Sequence, residues 1–170
     1  MANKTMNMFS ELLSALQKAD GKKIRKEVAQ LADRYEQLLF EIDGTSDESV
    51  DFMLSIFSDE RLFNKPGMDI FVLKAGTEFF CMTDEQKSKI YNALLNAYHK
   101  CSNLDYCWAT GDLIARNFNR KCALHFFSQT FVCATKNGKE GIALGLDVIA
   151  RQEGRNQQVK EIIARILRSG

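Results

Sequence analysis

The chain has 170 residues, 45% of them apolar and 26% charged, with a formal net charge of +1. That balance excludes a disordered or fibrous chain, and the length gives one domain a core that needs no staples. No apolar run could span a bilayer, and the N-terminus, MANKTMNMFSELL, lacks the apolar core of a signal peptide, so a cytoplasmic protein outside the membrane is expected.

A single proline permits long helices. Phe9, Leu12, Leu13 and Leu16 share one face of a first helix, from about Thr5 to Lys18, which Asp20-Gly21 ends. Ile24, Val28, Leu31, Tyr35, Leu38 and Ile42 advance by threes and fours through a second, with Gly44 as its stop. Thr45 and Glu48 have the spacing of a capping box for a third helix, whose face is Val50, Met53, Leu54 and Phe57. Pro66 suits the first position of a fourth, running to about Phe80. That segment is apolar on most sides and is expected at the centre of the core. Over 69–74 alone, periodicity leaves strand and helix open. Thr83 with Gln86 opens a fifth helix, with Ile90, Leu94, Ala97 and Tyr98 inward. Ser102-Asn103 caps a sixth, with Leu104, Cys107, Trp108, Gly111 and Ala115 inward. Asn119 caps a seventh, bearing Ala123, Phe126, Phe127, Thr130 and Phe131, and Asn137-Gly138 closes it. An eighth runs from about Lys139 to Gly154, and a ninth carries Val159, Ile162, Ile163 and Ile166. Nine helices with short connections predict an all-α fold of antiparallel pairs, a bundle or a short α-solenoid, in one domain over 1–170.

Asp112-Leu113-Ile114-Ala115-Arg116 recurs 35 residues on as Asp147-Val148-Ile149-Ala150-Arg151, and Leu124 and Phe127 align with Val159 and Ile162. The spacing marks one helix-turn-helix unit used twice, at about 103–137 and 139–168. The acid-before-base pairs at i, i+4 suit exposed helix faces. The Asp-x-Ile-Ala-Arg pattern resembles the second-helix region of HEAT-like repeats. Gly111, Ala123 and Phe127 sit at tetratricopeptide spacing, but Cys107 stands where that family has Trp, and the next unit does not match. The HEAT-like reading is preferred.

Charge is uneven along the chain. Residues 35–60 hold eight acids and no Lys or Arg, whereas residues 116–170 hold ten basic and four acidic side chains. Arg116, Arg120, Lys121, Arg151, Arg155, Arg165 and Arg168 could form a phosphate-binding stripe. The overall pI of about 7.6 does not fit a dedicated nucleic-acid binder.

No catalytic or metal-binding set stands out. Leu38-Leu39-Phe40-Glu41-Ile42-Asp43-Gly44-Thr45 resembles the Asp-x-Asp-Gly-Thr signature of haloacid-dehalogenase-type phosphatases, which implies a nucleophilic carboxylate and magnesium. Here Glu41 replaces the nucleophile, and Leu38 and Ile42 continue a helical stripe rather than a buried parallel strand. Cys122 and His125 could touch at i, i+3, but nothing completes a four-ligand set. Cys81, Cys101, Cys107, Cys122 and Cys133 are an odd count without Cys-x-x-Cys, mostly in helical apolar patterns. They read as buried free thiols. The expected protein is not an enzyme and needs no cofactor, metal or small-molecule substrate.

Over its whole length the chain resembles the small all-helical immunity proteins of bacterial contact-dependent growth inhibition systems, in size, helical make-up and thiol content. The resemblance implies a cytosolic protein that blocks the active site of one cognate toxin domain, in some systems an RNase. A nuclease site is basic, so the acids Asp43, Asp47, Glu48, Asp51, Asp59 and Glu60 are the expected contact residues. Phe63, Tyr91 and Tyr106 are candidate aromatic anchors. The alternative is an adaptor or secretion chaperone of tetratricopeptide type that grips a peptide or effector.

Overall fold

The structure, a computed structural model, describes residues 2–19, 23–41, 45–154 and 156–169. Among them every regular element is helical. The helices are α1 (Ala2–Lys18), α2 (Ile24–Glu41), α3 (Asp47–Ser58), α4 (Glu60–Phe63), α5 (Asp69–Glu78), α6 (Asp84–Ala97), α7 (Leu104–Asn117), α8 (Arg120–Phe131), α9 (Lys136–Glu153) and α10 (Gln157–Arg168). Single 3-10 turns follow α5 and α6. No helix among the described residues is long and apolar enough to cross a membrane.

Local chemistry sets the helix ends. The Thr83–Gln86 capping box forms both of its bonds, at 3.2 and 3.0 Å. Asn103 and Asn119 accept the backbone N–H groups of Tyr106 and Cys122 and so start α7 and α8. Gly154, at φ +57°, ends α9. Three expectations fail for identifiable reasons. Ser46, not Thr45, caps α3, accepting from the Ser49 N–H; the Thr45 carbonyl receives the Gln86 side-chain amide at 2.7 Å. Pro66 does not begin a helix, because Gly67 follows it at φ +90°. With the Met68 N–H bonded to the Lys65 carbonyl, Pro and Gly take the central positions of a type II turn. Asn137 and Gly138 do not close a helix. They lie in the first turn of α9, where Thr135 accepts the Gly138 N–H at 3.0 Å.

The end of α1 is held from a distance in sequence. The Lys65 ammonium donates to the carbonyls of Leu16, Gln17 and Ala19 at 2.9, 2.9 and 2.7 Å. A helix's last carbonyls lack intrahelical partners, and a cation there also complements the dipole.

Alternate helices stack into two layers. One layer packs α2 on α5, α5 on α7 and α7 on α9. The other packs α1 on α3, α3 on α6 and α8 on α10. The Tyr91 hydroxyl joins α6 to α8, donating to the Cys122 carbonyl at 3.0 Å. In α7 and α9, Cys107 faces Gly141 and Gly111 faces Gly145, backbone against backbone. Both helices step by four in the same direction, so they run parallel. The short connections through α8 then require α8 to return between them.

The two copies of the 35-residue sequence pattern fall on α7–α8 and on α9–α10. Arg116 reaches Asp112 and Arg151 reaches Asp147, each at 2.6 Å and at i, i+4. Leu124 and Val159 are both buried, but Phe127 is enclosed while its counterpart Ile162 is 38% exposed. No helix follows α10 among the described residues to cover that face.

The core lies between the layers. In the N-terminal half, Phe9, Tyr35, Phe52 and Phe71 bring α1, α2, α3 and α5 together with ring centroids 4.9 to 6.1 Å apart. In the C-terminal half, Tyr91, Tyr98, Phe126 and Phe127 do the same for α6 and α8. Segment 69–74 is helical and less central than its composition suggests. Phe71, Val72 and Ala75 are buried, but Leu73 is 54% exposed. Trp108, expected inward, is 42% exposed; α7 meets α9 through Cys107 and Gly111 instead.

Candidate functional site

The acids of segment 41–60 do not form one surface. Asp43 lies outside the described residues. Asp47, Glu48 and Asp51 occupy the first turns of α3, whereas Asp59 and Glu60 follow its end. At 1.5 Å per residue, Glu48 and Asp59 are roughly 17 Å apart along the axis.

The two groups also differ in charge balance. Asp59 caps α4 and receives Arg61 through both Nε at 3.0 Å and a terminal nitrogen at 2.8 Å. That hydrogen bonding, more than any other cause, holds the Asp59 carboxyl below its usual range. Glu60 pairs with Lys100 at 3.1 Å. These residues line a cleft of about 600 Å³ with Phe63, Asn96 and His99, in which the acids already have cations.

The group at the start of α3 is reinforced by the neighbouring helix. Gln86 is buried. Its amide nitrogen donates to the Thr45 carbonyl at 2.7 Å and to the Asp47 carboxylate at 3.1 Å, fixing the start of α6 beside the start of α3. Glu85 in the first turn of α6 thereby comes near Asp47 and Asp51, whereas Asp84 borders a separate cleft with Phe79, Tyr91 and Asn117. Lys89 is bonded to Glu85 at 3.0 Å. Its ammonium is held above its ordinary range, first by the Glu85 hydrogen bond, with further support from Asp47 and Asp51. Three carboxylates, of Glu85, Asp47 and Asp51, therefore act on one cation.

Three of the acids at the two helix starts have a local reason to be there. Asp47, Glu48 and Glu85 sit in first turns, where carboxylates offset the positive end of the helix dipole. Asp51 is one turn further on and has no such role. With Glu48 and Ser55 it borders a groove of about 220 Å³ whose floor includes Phe9, Leu13 and Phe52. The site is an acidic rim beside an apolar groove between α1 and α3.

Replacing Gln86 with Glu tests this arrangement. The change keeps the size but removes the donor to Thr45 and sets a second carboxylate against Asp47. A loss of about 2–3 kcal/mol in urea unfolding is expected. Unchanged stability would mean that Gln86 does not hold α3 and α6 together.

The aromatic candidates need correction. Phe63 and Tyr106 are buried and stacked on each other with centroids 5.5 Å apart, and Tyr91 is half-buried with its hydroxyl bonded. Besides Trp108, the exposed aromatics among the described residues are Phe40 at 97% and Phe80 at 79%, which helical periodicity did not single out. The cysteines also differ from expectation. Cys101 and Cys107 are buried, Cys122 is half-buried, and Cys81 and Cys133 are exposed. His125, beside Cys122 on α8, is exposed.

Leu38 to Glu41 form the last turn of α2, not the strand on which a phosphatase signature sits. In the basic C-terminal third, Arg116, Arg120 and Arg151 each pair with a carboxylate, of Asp112, Glu153 and Asp147. Arg155 lies outside the described residues. No family model, no curated protein and no solved structure matches the chain.

Proposed function

We propose that this chain is a non-catalytic binding module that blocks the active site of a basic nuclease domain, in the manner of a cytosolic immunity protein acting on its cognate toxin. The observation that carries the reading is the rim of Asp47, Glu48 and Asp51 on α3 with Glu85 on α6, set beside an apolar groove. A nuclease holds phosphate with cations, so a rigid acidic surface of this kind competes for the same groups and steers the encounter. Phe9, Leu13 and Phe52 add apolar floor that a partner side chain could cover, and well-packed apolar anchors carry much of the energy in such interfaces. Asp59 and Glu60 contribute less, since Arg61 and Lys100 already neutralise them.

The reading is tested by capture from lysate of the source cell, with elution by salt. The expected result is one stoichiometric protein with a nuclease domain, whose RNA cleavage the purified chain stops at equimolar ratio. A set of extended peptides or unfolded clients retained at high salt would instead favour an adaptor or chaperone of tetratricopeptide type. RNA alone would move the site to the basic C-terminal third.

A further inference from the structure

We propose that Cys101 and Cys107 are a covalent modification site, a pair built to close into an internal disulfide. Their sulfur atoms are in direct contact at 2.8 Å, closer than unbonded atoms settle at about 3.5–4.0 Å. Both side chains are buried. Cys101 ends the 3-10 turn after α6, and Cys107 lies in α7, so the bond would join the two helices across six residues.

The surrounding structure holds both ends in place. Thr135 donates to the Cys101 carbonyl, and the Cys101 N–H donates to the Tyr98 carbonyl at 3.0 Å. Asn64 accepts from the Ser102 and Asn103 backbone N–H groups, and the Asn103 side chain bonds the Lys65 carbonyl at 2.6 Å. On the other side the Cys107 carbonyl accepts from the Tyr98 hydroxyl and lies against Gly141. The sulfurs are therefore set by a fixed frame.

Closure needs a co-reactant, and a small-molecule disulfide such as oxidised glutathione serves. One cysteine, as thiolate, attacks a sulfur of the carrier and expels a carrier thiolate, leaving a mixed disulfide. The second cysteine then attacks the first cysteine's sulfur and expels the other carrier thiolate. The protein loses two protons and two electrons, and the carrier leaves as two thiols. Burial makes the folded pair slow to react, so exchange proceeds during folding or through opening of the non-helical 101–103 stretch. In a reducing compartment the pair stays as thiols.

The test refolds the full chain in a glutathione redox buffer and alkylates it under denaturing conditions. The expected result is three labelled cysteines before reduction, Cys81, Cys122 and Cys133, and five after it. Peptide 101–116, bounded by Lys100 and Arg116, should contain both unlabelled residues and be lighter than its reduced form by two hydrogens. Adding reductant should lower the melting temperature by roughly 5 °C, as loss of a short-loop disulfide would. The Cys107→Ser variant should show no such dependence, and Cys122→Ser should keep it. Five labels before reduction, or glutathione attached to Cys101 or Cys107 without their closure, would overturn the proposal.

Discussion

Replacing Gly141 with Ala should destabilise the chain by about 2–4 kcal/mol, or roughly 5–12 °C in melting temperature, although alanine is the better helix former. An added Cβ would lie closer than 3.0 Å to the Cys107 carbonyl and the Tyr98 hydroxyl. Neither can retreat cheaply. The carbonyl belongs to the backbone of α7, and the Tyr98 hydroxyl is bonded to Gly138 at 3.0 Å inside the core. Gly111 faces the same limit against the Gly141 carbonyl, so Gly111→Ala should behave alike. Gly76 supplies the contrast. It is also helical, but its Cβ would meet only side-chain atoms of Leu113 and Asn117 at 3.4 and 3.5 Å. There alanine should be neutral or stabilise by up to about 1 kcal/mol, through helix propensity. Equal stabilities for Gly141→Ala and Gly76→Ala in thermal unfolding would mean that α7 and α9 do not touch through their backbones.

The second large effect concerns the proposed contact. Glu48→Lys with Asp51→Lys should slow association with the captured nuclease partner by about 10- to 100-fold at low ionic strength. Among the described residues neither carboxylate has a hydrogen-bonded cation to lose, and both border the groove over Phe9 and Phe52. The deficit should shrink as salt rises, because the screening length falls to about 3 Å at 1 M. Glu60→Gln should leave the rate within about twofold, since Lys100 already offsets that carboxylate. Stopped-flow rates across a salt series separate the cases. Equal effects from both ends of α3 would return the contact to the whole acidic segment.

The helices were legible because their signals are local. The spacing of Ile24, Val28, Leu31, Tyr35 and Leu38, the Thr83–Gln86 box and the Asn103 and Asn119 caps depend on neighbours within a turn. Of the positions aligned by the repeat, Leu124 and Val159 are both buried, whereas Phe127 is enclosed and Ile162 is not. The errors arose where a distant partner decides. Trp108 is at a core-facing spacing, yet the contact of α7 with α9 runs through Cys107 and Gly111, and Trp108 is left exposed. The acidic site was visible only in part. Segment 41–60 drew attention by composition, but proximity depends on Gln86, which brings Glu85 near Asp47. Glu85 falls in a stretch whose overall charge is balanced. Arg61, two residues on, is a sequence-level partner for Asp59, but the pairing of Glu60 with the distant Lys100 is not legible there.

The most direct measurement is amide hydrogen exchange of the chain with and without its captured partner. The expected result is added protection in residues 7–13, 47–55 and 84–89, the segments that form the acidic rim and the groove, with α8 and α10 unchanged. Protection confined to α8, α9 and α10, with residues 47–55 exchanging as in the free chain, would contradict the proposed site.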